Sequence, residues 1–180
     1  MLHYHNKEWG VPIHNDRKIF EFLVLESAQA GLSWRTILHK RGGYKKLFAN
    51  FDPEKIARFN KKKVLKLLET PSIIRNRLKI ESTINNAIKF IEVQKEFGSF
   101  SKYMWSFVGG KSIDGKRKTL KDLPAVTKEA EQFAKDLKKR GFKFLGPTVV
   151  YAHMQAVGMV NDHIVSCFRY RDLKNKSSKF

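Results

Sequence analysis

The chain holds a single cysteine, Cys167, so no internal disulfide can form, and its thiol is a packing residue, a metal ligand or a reactive group. No apolar run approaches the roughly 20 residues a transmembrane helix needs, and no lipidation motif is present. The first residues, Met1-Leu2-His3-Tyr4-His5, lead into Lys7-Glu8 without an apolar h-region or a small-residue cleavage site, so the expected location is the cytoplasm. Acidic residues are scarce: 17 Asp+Glu against 36 Lys+Arg leave a net charge of +19 and a pI near 10.1. That excess is far beyond what solubility needs and predicts a polyanionic partner, with nucleic acid favoured over a membrane surface. Alternating strand patterns are nearly absent, and no internal repeat is evident.

What remains is helical signal from end to end. The 180 residues, 42% hydrophobic, suit one domain over 1–180 of all-α class. Asp16 is expected to cap a helix through Ala30, ended by Gly31, and Ser33 a helix from Trp34 to Arg41 with Gly42-Gly43 after it. Asp52-Pro53-Glu54 reads as cap, N1 proline and first-turn acid. Ile80, Ile84, Ile88 and Ile91 recur at helical spacing between about Ile74 and Phe97, which predicts a central spine stopped by Gly98. Ser99 opens a helix carrying Met104, Trp105 and Phe107. A polar loop from Gly109-Gly110 to about Val126 is the candidate mobile segment. Thr127 caps a helix to Arg140, residues 141–146 form a tight hairpin, and Pro147 starts a helix ending near Gly158. The basic tail, residues 169–180, has few apolar residues and reads as disordered or as a phosphate-binding arm.

Four constellations could carry chemistry. The stretch Leu137–Ala152 reads as a helix-hairpin-helix, spanning about 128–158 with its flanking helices. Gly141 and Gly146 would allow positive dihedrals and close backbone approach, and the helix opening at Pro147-Thr148 aims unpaired amides at a phosphate. Lys138, Lys139, Arg140 and Lys143 add charge there, although an ordinary helical connection with solvated lysines has the same composition. Glu26 is the only charged residue between Phe22 and Trp34, on a face with Ile19, Phe22 and Leu23. Buried, it needs a partner, either a flipped base or, in a structural role, a Lys, an Arg or a helix N-terminus. Tyr4, Trp9 and Trp34 would surround it with faces suited to a cationic purine, or are plain core aromatics. His163 and Cys167, at i and i+4, with His5 at the other chain end, make three of the four ligands of a structural zinc site or a packed cluster.

Together these residues resemble the bacterial 3-methyladenine DNA glycosylase I family, a branch of the helix-hairpin-helix glycosylases. The likeness runs through YHNKEWGVP from Tyr4, LESAQAGLSW from Leu25, WSFV from Trp105, KKRGFKFLGPT from Lys138 and MQAVGMVNDH from Met154. The resemblance implies an all-α fold of two helical lobes with the base pocket between them. It implies that Glu26 hydrogen-bonds the flipped base, that Tyr4, Trp9 and Trp34 line its pocket, and that Gly31 and Leu32 sit on a turn pressed into the duplex gap. It further implies structural zinc held by His5, His163, Cys167 and a cysteine upstream of His5. That last ligand, with a Trp and a Tyr of the family's N-terminal segment, has no counterpart in this sequence.

The implied activity is that of a monofunctional DNA glycosylase, a monomer acting on double-stranded DNA with alkylated bases and releasing free 3-methyladenine. Methylation at N3 leaves the purine cationic and its glycosidic bond labile, so Glu26 is expected to matter most, and Asp162 little. No lysine is placed like a Schiff-base nucleophile. The competing classes are a non-catalytic DNA-binding module and a cationic RNA-binding protein.

Overall fold

The structure, a computed structural model, describes residues 1–177, with side chains described to residue 174. It is helical as the sequence predicts, with α1 (Leu2–Lys7), α2 (Asp16–Gln29), α3 (Trp34–Leu47), α4 (Pro53–Ala57), α5 (Lys61–Glu69) and α6 (Arg77–Phe97) followed by α7 (Phe100–Ser106), α8 (Lys128–Lys139), α9 (Pro147–Ala156) and α10 (Phe168–Ser177). Every residue from Ile19 to Ala28 in α2 is buried, because α2 packs against α3, α6, α7 and α9. A helix enclosed all round gives any polar side chain it carries a dry environment. No described helix is long and apolar enough to cross a membrane.

Several local expectations are corrected. Asn15, not Asp16, caps α2, its side chain accepting from Lys18 N at 3.0 Å. Asp16 instead accepts from the backbone N–H groups of Phe100 and Ser101, both at 2.8 Å, and so satisfies the first amides of α7. Helix α3 does not end at Arg41 but runs through Gly42-Gly43 to Leu47. Gly43 is there for contact rather than termination, since a Cβ at that position would overlap the Ser72 backbone. The isoleucine stripe is only partly the core face of α6. Ile80, Ala87, Phe90 and Val93 are buried, whereas Ile88 is 43% exposed.

The polar loop 109–126 is tied down at two points. Its strand β1 (Ile113–Asp114) pairs in parallel with β2 (Val160–Asn161), and Val165 N donates to Arg117 O at 2.8 Å. The tail expected to be disordered forms α10, because its few apolar residues find partners. Tyr170 and Leu173 are buried, and Tyr170 Oη donates to Asp114 at 2.8 Å. The end of that expected segment, residues 178–180, lies outside the described residues.

Candidate active site

Two carboxylates are buried on α2, and their surroundings differ. Glu21 accepts from Arg41 Nε at 2.6 Å and Lys18 Nζ at 2.8 Å, and the same Arg41 forks onto Glu8 at 2.7 and 3.0 Å. That network clamps the end of α1 to α2 and α3. Glu26, only 4% exposed, has no hydrogen-bond or ion-pair partner among the described residues. Burial alone pushes its carboxyl pKa up to about 8.

Tyr4 and Trp34 are brought together near this acid, their ring centres 5.3 Å apart, with Phe22 6.3 Å from Tyr4. Burial, with the neighbouring Glu26 charge second, holds the Tyr4 hydroxyl well above the usual phenol range. Trp34 is half-buried, yet its indole N–H is fully buried without a partner among the described residues. Two unpaired polar groups thus lie around one seam. The rings touch, so a purine sandwiched between them requires them to part to roughly 7–8 Å, two van der Waals contacts. Two surface grooves, of about 310 and 450 Å³, lie beside α5–α6 and α8–hairpin, and Glu26 lines neither. Trp9, expected with Tyr4 and Trp34, packs its ring edge-on against His163 at 4.5 Å and stacks on His5 at 6.2 Å.

The turn after α2 projects outward. Gly31 has φ +78° with open space around it, and Leu32 beside it is 39% exposed, an apolar side chain held in solvent. Lys79, which the sequence reading passed over, steadies this turn by donating to Ala28 O at 2.8 Å and Ala30 O at 2.6 Å.

The hairpin joins α8 to α9 as expected, with one change in its glycines. Gly141 has φ +87°, but Gly146 lies at φ −70° as the N-cap of α9, and Phe144 carries the second positive φ, +58°. Gly146 therefore serves an open approach, with nothing near a Cβ there. The turn is held by two asparagines from α6. The buried Asn86 amide both donates to Lys143 O and accepts from Lys143 N at 2.8 Å, and Asn85 donates to Gly141 O at 2.9 Å. Asn85-Asn86 inside an apolar helical stripe was the available signal. Lys138, Lys139, Lys143 and Thr148 are exposed. Arg140, expected beside them, is committed internally: it forks onto Glu96 at 2.6 and 3.1 Å, donates to Asp136 at 2.7 Å, and lies over the Phe97 and Tyr103 rings.

His5, His163 and Cys167 converge with all three ligand atoms within 4.8 Å of one another. Cys167 Sγ is 3.8 Å from His5 Nε2 and 3.7 Å from His163 Nδ1. Each histidine uses its other nitrogen in a hydrogen bond, His5 Nδ1 with Asn6 Oδ1 at 2.7 Å and His163 Nε2 with Trp9 O at 3.1 Å. The neighbouring Asp162 is fully enclosed, accepting from Arg117 Nε at 2.9 Å, Gln155 Nε2 at 2.8 Å and the Tyr151 hydroxyl. It links loop 109–126 to α9 and has little capacity left for a substrate.

Comparison with known proteins gives a consistent picture. The methyladenine glycosylase family model matches residues 1–170. DNA-3-methyladenine glycosylase 1 of Escherichia coli (strain K12) is 43% identical over 167 residues, covering 93% of this chain and 89% of that protein. A crystal structure of 3-methyladenine DNA glycosylase I superposes with a TM-score of 0.91 at 46% identity, covering 93% of this chain and 92% of that one. The 3-methyladenine DNA glycosylase I of Staphylococcus aureus, solved to describe its 3-methyladenine recognition, gives 0.91 at 40% identity, covering 93% and 89%.

Proposed function

The chain belongs to the methyladenine glycosylase family, and from that premise we propose how its own residues excise 3-methyladenine from DNA. It is a DNA-3-methyladenine glycosylase, a hydrolase of N-glycosidic bonds. Our reading puts Glu26 at the centre of recognition. The observation that carries it is the contrast with Glu21: two buried acids on one helix, one saturated by cations and one with none. A fold tolerates an unpaired buried carboxyl at a cost of several kcal/mol only where a ligand supplies the missing partner.

While bonded to its sugar in DNA, a purine methylated at N3 is cationic. Entering beside Glu26, it brings the charge that favours the ionised carboxylate, whereas an unmodified base brings none. Tyr4 and Trp34 add stacking and a cation–π attraction. This binding energy offsets the cost of drawing the nucleotide out of the stack. Leu32 enters the gap, while the amides at the start of α9, with Lys138, Lys139 and Lys143, hold a backbone phosphate. When the bond from C1′ to the purine breaks, its electron pair passes to the base, which leaves neutral. Water then adds to the sugar cation and loses a proton. The setting we propose is duplex DNA in the cytoplasm, with the chain acting as a monomer and releasing free 3-methyladenine.

His5, His163 and Cys167 are proposed to hold a structural zinc ion that ties α1 to the segment before α10. What supports this is the donor chemistry: a thiol and two imidazole nitrogens converge, and each imidazole has its second nitrogen fixed by a hydrogen bond.

Glu26→Gln tests the central role. Release of 3-methyladenine from methylated duplex should fall at least about tenfold while duplex affinity holds. Near-normal turnover would remove Glu26 from the mechanism.

A further inference from the structure

The charge excess is not where the hairpin is. Residues 128–158 carry six Lys and Arg against three acids, a net of +3, whereas residues 55–77 carry eight against one, a net of +7. The densest part is Asn60-Lys61-Lys62-Lys63-Val64-Leu65-Lys66, the start of α5. Val64 and Leu67 face the core, which turns Lys61, Lys62 and Lys66 outward, and none of the three makes an ion pair among the described residues. This arrangement opposes helix stability. Lys61, Lys62 and Lys63 crowd the positive end of the helix dipole, and Lys62 and Lys66 repel across one turn. Fixed anions beside that face would relieve both.

Helix α6 fixes where this face lies. Through Lys79 its first turn reaches the carbonyls of Ala28 and Ala30, beside the Gly31–Leu32 turn. Asn85, two turns on, holds Gly141 of the hairpin. The groove of about 310 Å³ between α5 and α6 is lined by Asn60, Lys61 and Val64 on one side and by Arg77, Glu81 and Asn85 on the other, with Lys61 and Arg77 outnumbering the one acid. Asn85 therefore borders this groove and the hairpin at once. Arg77, about half exposed, has only a 3.5 Å contact with Glu81.

We propose that Lys61, Lys62 and Lys66 on the outer face of α5, with Arg77 across the groove, form a second phosphate-binding surface, which meets the hairpin side of α6 only along the groove edge from Lys61 and Arg77 to Asn85 and extends the enzyme's grip along duplex DNA. The proposal rests on the glycosylase reading, but it concerns backbone charge alone. It adds affinity and salt dependence, with no readout of sequence.

The test compares the full chain with Lys61→Ala/Lys62→Ala/Lys66→Ala on an about 30-base-pair duplex carrying a tetrahydrofuran abasic site, by fluorescence anisotropy from about 50 to 300 mM KCl. A control triple, Lys102→Ala/Lys111→Ala/Lys121→Ala, removes equal charge elsewhere. Each lost phosphate contact flattens the slope of log K against log salt by about 0.9, so the α5 triple should flatten it by roughly two to three and lower affinity at least tenfold at low salt. Arg77→Ala, a single surface change, should flatten it by about one. An unchanged slope, an equal loss in the control triple, or a loss confined to single-stranded RNA would overturn the proposal. Release of 3-methyladenine by the unaltered chain is measured separately, so failure of the glycosylase reading is distinguishable from failure of this surface.

Discussion

Glu26→Gln should make the protein more stable at neutral pH even as it impairs the enzyme. The folded state holds the carboxyl pKa at about 8 against 4.5 for the free side chain. Between those values the native state keeps a proton that the unfolded chain has released, so stability falls as pH rises through the window. At about 1.4 kcal/mol per pH unit, the wild-type acid costs roughly 3 kcal/mol at pH 7 and about 5 kcal/mol above pH 8, and almost nothing below pH 4.5. Glutamine is close in shape and never ionises. Urea unfolding of both proteins at several pH values between 4.5 and 8.5 should therefore give a difference that starts near zero and grows in favour of the glutamine variant. His153, buried with neither ring nitrogen paired and pushed by burial to about 3, destabilises both proteins alike as pH falls below 6.5. The difference between the two proteins is thus the informative quantity. A constant difference across the range, or a glutamine variant that is less stable at pH 8, would refute the reasoning.

Other expectations follow from single contacts. Gly42→Ala and Gly43→Ala, adjacent in α3, should move stability in opposite directions. The first has open space and gains about 0.5–1 kcal/mol of helix propensity, while the second meets the Ser72 backbone and loses about 2 kcal/mol or more, both readable in thermal melts. Asp162→Asn should cost roughly 3 kcal/mol by unpairing Arg117, yet single-turnover excision by the folded fraction should stay near wild type; a large loss of rate would return Asp162 to the chemistry. Added zinc should raise the melting temperature of the wild type but not of Cys167→Ser, with one equivalent found by elemental analysis of the former; equal responses would remove the metal from this cluster.

Much of this architecture was legible because the signals were local. Caps such as Ser33 and Asp52, the proline at 147 and the run from Leu137 to Ala152 mark helix ends through chemistry that acts within a few residues. Two misreadings are local, the cap that falls on Asn15 and the positive φ that falls on Phe144, but the others involve partners distant in sequence. Gly43 looks like a helix stop until Ser72 is beside it, Asp16 looks like a cap for its own helix until α7 arrives, and Arg140 looks like a free cation until Glu96 meets it. The tail looked polar because Tyr170 and Leu173 carry its anchoring almost alone. At the site, the lone charge in an apolar stretch marked Glu26, and the motif placed Tyr4 and Trp34 with it. Nothing in the spacing said that Trp9 packs on His5 and His163, since that depends on the fold joining the two chain ends.

The central claim, an unpaired buried acid among aromatic rings awaiting an alkylated purine, is tested most directly by titrating the protein with free 3-methyladenine and following tryptophan fluorescence. The account predicts saturable quenching that disappears in Trp34→Phe and weakens in Glu26→Gln, where the free base, neutral once released, loses its hydrogen bonds to the carboxyl. Quenching that survives both substitutions, or no saturable response in the wild type, would contradict it.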